Sequence, residues 1–260
     1  MMAAALLPAV AIGEPSAAKG VTVSKEGTKI EEDGHAVEFG QNGVTKIDTQ
    51  NPDFDRGMEA LFADRMREAL DYLGRSLRTD PTNPQAHLNR AEAFDHLEQY
   101  PDAIAECDQA IALSKAGWIY RAKHSENVGK TADALVARDL ASAYARRGIA
   151  KWNLQRKTEA VADFDEAVRL KTKNATVYIY RGQSFLNQGK FDLALQDFDA
   201  AIALDNKSAY GYGLRALVRV HEGSDALAAA DLFRAGQIDE KVRAECAGYA
   251  QRMRAARAAK

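Results

Sequence analysis

An arginine returns along this chain at a fixed interval. Arg56 and Arg90 are 34 residues apart, and Arg147, Arg181 and Arg215 follow one another at the same spacing. Each of these arginines is followed directly by Gly or Ala. A fixed period of this length indicates a repeat architecture, in which each unit buries its apolar face only against its neighbours. We therefore expect a solenoid whose core lengthens with the number of units.

Three further positions keep their character in every unit and predict that each unit is a helical hairpin. An alanine stands thirteen residues after each arginine, and a small residue, Ala or Ser, stands seven residues beyond it. Antiparallel helices approach closely only where side chains are small. Four positions after the alanine, a larger apolar residue on the same helical face fills the layer between hairpins. These larger residues are Leu73, Cys107, Phe164, Phe198 and Leu232.

With the arginine counted as position seven, the pattern resembles that of the tetratricopeptide repeat family. The match consists of the small residue at position eight, alanine at twenty, the apolar residue at twenty-four and Ala or Ser at twenty-seven. Pro81 matches the family's proline at position thirty-two, which the later units lack. The family has leucine at position seven, where this chain has arginine. The resemblance implies an all-α, right-handed solenoid of about five to six hairpins with a C-terminal capping helix.

The regular units are 50–83, 84–114, 141–174, 175–208 and 209–242. The stretch 115–140 is irregular, because Arg90 and Arg147 are separated by one repeat length plus 23 residues. One interpretation is a shortened, degenerate unit, since several of its residues fall at the expected repeat positions. The other is a single long helix over 131–154 with a connector before it, because Arg138 would place a charge at core position twenty-four. Both interpretations stay open from the sequence.

The N-terminal segments differ from the repeats. Residues 1–18 combine an apolar run with small residues, as in a secretory signal peptide, although no positive region precedes the run. Residues 19–49 alternate around turn pairs such as Asn42-Gly43, which predicts a small β-hairpin or meander within an arm that is otherwise disordered. We expect a periplasmic or secreted protein, with a cytoplasmic location as the alternative.

The C-terminal segment, 243–260, has the composition of a helix that covers the last unit. A solenoid needs such a cap because its final apolar face is otherwise open to water. Apolar residues recur here at helical spacing: Val242, Cys246, Tyr249 and Met253.

Composition and motifs argue against catalysis and nucleic-acid binding. The formal net charge is -2 with charges of both signs interspersed, whereas nucleic-acid binding requires a basic stripe. Residues 129–131 read Gly-Lys-Thr, like the end of a phosphate-binding loop, but the glycine required five residues earlier is His124. The histidines show no metal-ligand spacing with Cys or carboxylates. We expect no catalytic residue, no metal, no cofactor and no disulfide between Cys107 and Cys246.

Aspartates repeat at the same period as the arginines, at Asp163, Asp197 and Asp231. Repetition at the structural period indicates a structural role. We predict a ladder of bidentate arginine–aspartate pairs, joining the two helices of a unit or neighbouring units.

The resemblance also implies where a partner binds. In this family the first helices of the units line a concave groove, and positions two, five, nine and twelve face it. The groove residues expected to contact a partner are Leu88, Glu92, Asp95, Trp152, Ile179, Gln183, Leu186 and Tyr210. The earlier end of this groove is then acidic and the later end apolar and partly aromatic, which suits peptide anchors. A groove occupied by the N-terminal arm of the same chain is the alternative.

The sequence thus predicts a non-enzymatic scaffold for a protein or peptide partner, without a membrane span, of undetermined oligomeric state. An accessory, substrate-positioning subunit of an envelope enzyme complex is one alternative. A structural assembly subunit is the other. Fold alone does not choose among them.

Overall fold

The computed structural model describes residues 21–24, 27–32, 35–40, 43–48, 51–124 and 130–259. Within these residues, four strands precede eleven helices. The signal-peptide prediction for residues 1–18 lies outside the described part of the chain.

The four strands form an antiparallel meander in which each strand pairs with the next. Val21 lies opposite Ile30, and the register between the third and fourth strands shifts where Glu38 and Phe39 of the third strand pair with Lys46 and Val44. This is the meander that the alternation in residues 19–49 predicts. The strands are β1 (Val21–Ser24), β2 (Gly27–Glu32), β3 (His35–Gly40) and β4 (Gly43–Asp48).

The helices pair into five antiparallel hairpins, and each hairpin packs on the next. This is the solenoid of stacked hairpins that the repeat predicts. The hairpins are α1 (Pro52–Phe62) with α2 (Met66–Thr79), α3 (Pro84–His96) with α4 (Tyr100–His124), α5 (Lys130–Asn153) with α6 (Lys157–Arg169), α7 (Ala175–Asn187) with α8 (Phe191–Leu204), and α9 (Ala209–His221) with α10 (Asp225–Ile238). A final helix, α11 (Glu240–Ala258), follows them.

The fixed repeat positions form the core, as predicted. All five alanines at position twenty and all five small residues at position twenty-seven are fully buried. At position eight, the absence of a side chain brings the helices together: a Cβ atom on Gly182 would lie 2.8 Å from Phe198 Cε1. The core is therefore a series of apolar clusters along the stack, each shared by neighbouring hairpins.

The arginine–aspartate ladder is confirmed, and each rung joins two units. Arg181 donates from Nε and Nη2 to the two carboxylate oxygens of Asp197 in its own unit, at 2.9 and 2.7 Å. Its third donor, Nη1, reaches Asp165 of the preceding unit at 3.0 Å. This accounts for arginine at position seven. The same two contacts recur for Arg147 with Asp163 and Asp108, and for Arg215 with Asp231 and Asp199.

The first two units carry weaker versions of this rung. Arg90 Nη1 lies 3.0 Å from Glu106, which occupies the place of the aspartate. In the first unit that place holds Tyr72, and the Arg56 guanidinium lies 5.9 Å from the centre of its ring.

In the irregular stretch 115–140, α4 continues to His124, α5 begins at Lys130, and the two helices pack against each other. Helix α4 has 25 residues and α5 has 24, against 13 or 14 in most of the others. The contact of Arg147 with Asp108 is the one that directly stacked units make elsewhere in the ladder. Unit 141–174 also contacts unit 84–114 directly, so the division of this stretch into a shortened unit or a lengthened pair of helices stays a prediction. The long helix is confirmed, but α4 continues as helix where a connector was expected.

The turn inside each hairpin contains a left-handed residue at position fifteen. Two units have glycine there, Gly189 and Gly223, with φ of 72° and 81°. The other three have Asp64, Glu98 and Gln155, with φ between 57° and 60°. A side chain with a Cβ is strained in this conformation, whereas glycine adopts it freely.

We expect the substitution Gln155→Gly to stabilise the chain by about 0.5–1 kcal/mol, because it relieves left-handed strain. Gly189→Ala is the reverse change and is expected to destabilise by a similar amount. Urea denaturation followed by circular dichroism measures both. A loss of stability in Gln155→Gly would show that the Gln155 side chain contributes more than its backbone strain costs.

Helix α11 caps the solenoid as predicted, with one exception among its apolar residues. Val242 and Cys246 are buried against the last hairpin, and Met253 packs on the same cluster. Tyr249 is exposed, so its predicted place in the cap interface is wrong: its helical spacing falls on the outer edge of the apolar stripe. Among the described helices, none has an apolar stretch long enough to cross a bilayer.

Candidate functional site

The acidic end of the predicted groove lies where α3 meets α5. Glu92 and Asp95 come from adjacent turns of α3, and Arg146 of α5 donates from Nη2 to Glu92 at 2.6 Å. The Oδ1 atom of Asp95 is buried and has no hydrogen-bond partner. One carboxylate here is therefore paired across the helices, and the other retains an unused acceptor.

The environment of Asp95 disfavours its charge. Burial raises the pKa of Asp95 from 3.8 to about 6, although Arg146 and His96 oppose this shift. The folded chain therefore holds a proton on Asp95 at pH values where the unfolded chain has lost it. The contribution of Asp95 to the free energy of unfolding is therefore most favourable below pH 4, where the carboxyl is protonated in both states. It falls as the pH rises towards 6 and the folded chain loses this proton.

We expect Asp95→Asn to stabilise the chain by about 1–2 kcal/mol at pH 7 and to change little at pH 4, because the amide carries no charge to bury. Urea unfolding of both proteins between pH 4 and pH 7 measures the difference. A constant difference for Asp95→Asn would contradict the assigned environment.

Two of the predicted groove residues are buried in the helical packing. Leu88 is 4% exposed and Trp152 is 8% exposed. Trp152 stacks on Tyr180 with ring centroids 5.0 Å apart and also contacts Phe164. In this structure Leu88 and Trp152 lie beneath the groove surface and pack against other side chains of the helices. Contact between them and a partner stays a prediction.

The later part of the groove contains residues that are partly accessible. Ile179 and Leu186 of α7 pack at the edge of the last apolar cluster. Gln183 lies between them and is half-buried. Tyr210 of α9 is 48% exposed, and its pKa is raised, first by partial burial and then by the charge of Glu245. Accessible predicted residues thus occur on α3, α7 and α9.

Sequence reasoning missed two residues of this surface, Arg146 and Tyr180. Both stand at position six of their units, directly before the ladder arginines Arg147 and Arg181. One pairs with Glu92 and the other covers Trp152. The repeat offered a signal, because Arg146 and Tyr180 occupy the same position in consecutive units and neither residue type is typical of a buried helix face.

The described side chains offer little chemistry of other kinds. No group of three or more His, Cys, Asp or Glu is gathered as a metal site would be, among the residues that the structure describes. Cys107 and Cys246 are unpaired and buried, which raises the pKa of both thiols, that of Cys246 to about 11. A thiol with a raised pKa is a poor nucleophile at neutral pH.

Stacked helical hairpins with a shared row of first helices define a helical-repeat scaffold. Tetratricopeptide repeat models match residues 54–117, 141–174 and 175–208, which together are just over half of the chain. The chain belongs to the tetratricopeptide repeat family.

Known proteins resemble the chain in its repeats. RNA polymerase II-associated protein 3 of Homo sapiens is 28% identical over 120 residues, which are 46% of this chain and 15% of that protein. The chain therefore matches only a small part of that relative's length. The crystal structure of MamA superimposes with a TM-score of 0.52 at 19% identity, over 72% of this chain and 96% of MamA.

A second solved structure, YrrB, is described as a protein of this family with an unusual peptide-binding site. It superimposes with a TM-score of 0.52 at 16% identity, over 76% of this chain and 91% of YrrB. At such identities the likeness concerns the fold. The family and the stacked hairpins identify this chain as a scaffold for protein or peptide binding.

Proposed function

We propose that this scaffold binds its protein or peptide partner along the first helices of the units, and that it has no catalytic activity of its own. The surface concerned, called here the first-helix groove, includes Glu92, Asp95, Gln183 and Tyr210. The observation that carries the proposal is the accessibility of this groove, from Glu92 on α3, whose side chain is 35% exposed, to Tyr210 on α9, which is 48% exposed.

The chemistry of the first-helix groove favours a particular kind of segment. A lysine or arginine of the partner finds an accessible carboxylate in Glu92, at the acidic end of the groove. Apolar partner side chains have contact surface at Ile179 and Leu186, which are only partly covered. We therefore infer an extended or helical segment with a basic residue towards one end and apolar residues towards the other.

The experiment begins with affinity purification of the chain from its native source and identification of the co-eluting protein. Binding of that partner is then measured by calorimetry for Asp95→Ala, Gln183→Ala and Tyr210→Ala. Each is expected to weaken binding by about threefold to tenfold or more, as contact residues do. Lys173→Ala, an exposed residue outside the first helices, serves as the control. Unchanged affinity in all three variants would exclude this groove.

We further propose that the chain is exported, on the basis of the apolar run and small residues in segment 1–18. Sequencing the N-terminus of the protein isolated from its source tests this directly. Export predicts a start near residue 12 or beyond, whereas a chain that retains Met1 contradicts it.

A further inference from the structure

One arginine serves two carboxylates at the acidic end of the first-helix groove. Glu92 and Asp95 are three residues apart on α3, so their side chains project from the same face of the helix. Arg146 of α5 donates from Nη2 to Glu92 at 2.6 Å, whereas the buried Oδ1 atom of Asp95 has no hydrogen-bond partner. The single charge of Arg146 balances this pair of carboxylates only while one of them is protonated.

Asp95 lies where α3 meets α4 and α5, and groups from all three helices face it. Burial raises the pKa of Asp95 to about 6, and Arg146 is the largest of the influences that oppose this rise. The titratable and charged groups that face this carboxyl are Arg146 of α5, His96 and Glu92 of α3, and Tyr100 and Cys107 of α4.

The two groups from α4 stay neutral over the pH range in which Asp95 changes its charge. Burial raises the pKa of the Cys107 thiol, and the pKa of Tyr100 is raised by burial and then by Glu98. The charge at this end of the groove therefore depends on Asp95 itself and on the three facing groups from α3 and α5.

Loss of the proton from Asp95 changes the sign of the local charge balance. While Asp95 is protonated, the ion pair of Glu92 with Arg146 leaves these three groups without a net charge. Once Asp95 is ionised, two carboxylates and one guanidinium carry one net negative charge. That charge lies within one helical turn of Glu92, whose side chain is 35% exposed and open to a lysine or arginine of a partner.

We propose that Asp95 is a pH switch of the first-helix groove, which binds a basic partner segment tightly once this carboxyl is charged and weakly while it is protonated. The inference rests on the function proposed for the groove, because it needs a partner with a basic residue near Glu92. It assigns the control of that site to a largely buried group. By linkage, binding of the partner near pH 6 releases a proton from Asp95.

The switch is tested without a partner by adding two soluble nitroxide probes to the full chain, one with a trimethylammonium group and one neutral. Each probe broadens amide NMR signals according to its concentration near the surface, so the ratio of the two effects measures the local charge. At the amides of Glu92 and Arg146, we expect this ratio to rise by about twofold or more between pH 5 and pH 7.5, since one added charge attracts the cationic probe.

Asp95→Asn is expected to abolish this rise, because the amide carries no charge at either pH. His96→Gln is the matched control, since histidine is the other type of side chain that changes charge in this range, and this variant is expected to keep the rise. A rise that persists in Asp95→Asn, or that disappears in His96→Gln, would overturn the proposal. So would a ratio that stays constant in the wild type.

Calorimetry with the co-purified partner then separates the switch from the function proposed for the groove. We expect the affinity of the wild type to increase about threefold to tenfold from pH 5 to pH 7.5, and that of Asp95→Asn to stay level. An affinity that stays level with pH, for a partner whose binding Tyr210→Ala weakens, would overturn the switch and leave the proposed function intact. An affinity that none of the groove variants changes would overturn both.

Discussion

Replacing Arg181 with alanine is expected to destabilise the chain by about 3–5 kcal/mol, the usual cost of leaving a buried carboxylate without its partner. Asp197 is only 3% exposed, and both of its carboxylate oxygens accept hydrogen bonds from Arg181. Water cannot replace the guanidinium without opening the packing between α7 and α8. The variant also loses the contact with Asp165, which joins this hairpin to the one before it.

A double-mutant cycle separates the pair from its surroundings. Asp197→Ala alone is expected to be costly because it leaves the arginine without its buried partner, and the double variant should lose about 0.5–3 kcal/mol less than the sum. Asp165→Ala is the control, since its side chain is 56% exposed and such pairs contribute less than about 1 kcal/mol. Urea denaturation measures the free energy of unfolding of the wild type and of each variant. Hydrogen exchange in α7 and α8 shows whether the loss is local, because repeat arrays do not always unfold as one unit. Additive costs in the cycle would contradict a coupled pair.

The ladder and the core were predictable because their period is visible in the sequence. Residues that return every 34 positions meet equivalent neighbours in a solenoid. Arg181 therefore had to have the same role as the other repeated arginines, and Asp197 the same role as the other repeated aspartates. The partner in the preceding unit was harder to assign. Asp165 and Asp199 repeat as well, but acidic residues are common on exposed helix faces and their period alone did not distinguish a contact from a solvated surface.

The groove was less predictable than the core. Helical spacing places Leu88 and Trp152 on the first-helix face, but it does not say how far the next hairpin overlaps that face. Overlap depends on neighbouring side chains such as Tyr180, which covers Trp152. The stretch 115–140 was ambiguous for a related reason. Its helix-forming residues suit an added hairpin and a lengthened one equally, and both interpretations require the long helix α5.

Gly182→Ala is expected to destabilise the chain by about 1–3 kcal/mol, although alanine ordinarily favours a helix interior. The new Cβ atom would lie 2.8 Å from Phe198 Cε1 and 3.1 Å from Asp197 Cβ, so the hairpin must open or distort. Gly74→Ala is the matched control. Gly74 lies inside α2 with no atom within 4 Å of the added Cβ, and this change is expected to stabilise by about 0.5–1 kcal/mol.

Another unit of the chain shows which second substitution should compensate the stability that Gly182→Ala loses. Where position eight is alanine, at Ala216, the facing position twenty-four holds Leu232, a smaller residue than the phenylalanine that faces Gly182. The double variant Gly182→Ala with Phe198→Leu recreates that combination and should lose less stability than the two single changes added together. Urea midpoints of the four proteins measure the coupling. If the two costs simply add, positions eight and twenty-four do not share one packing volume, and the close approach of α7 and α8 depends on something other than the missing side chain.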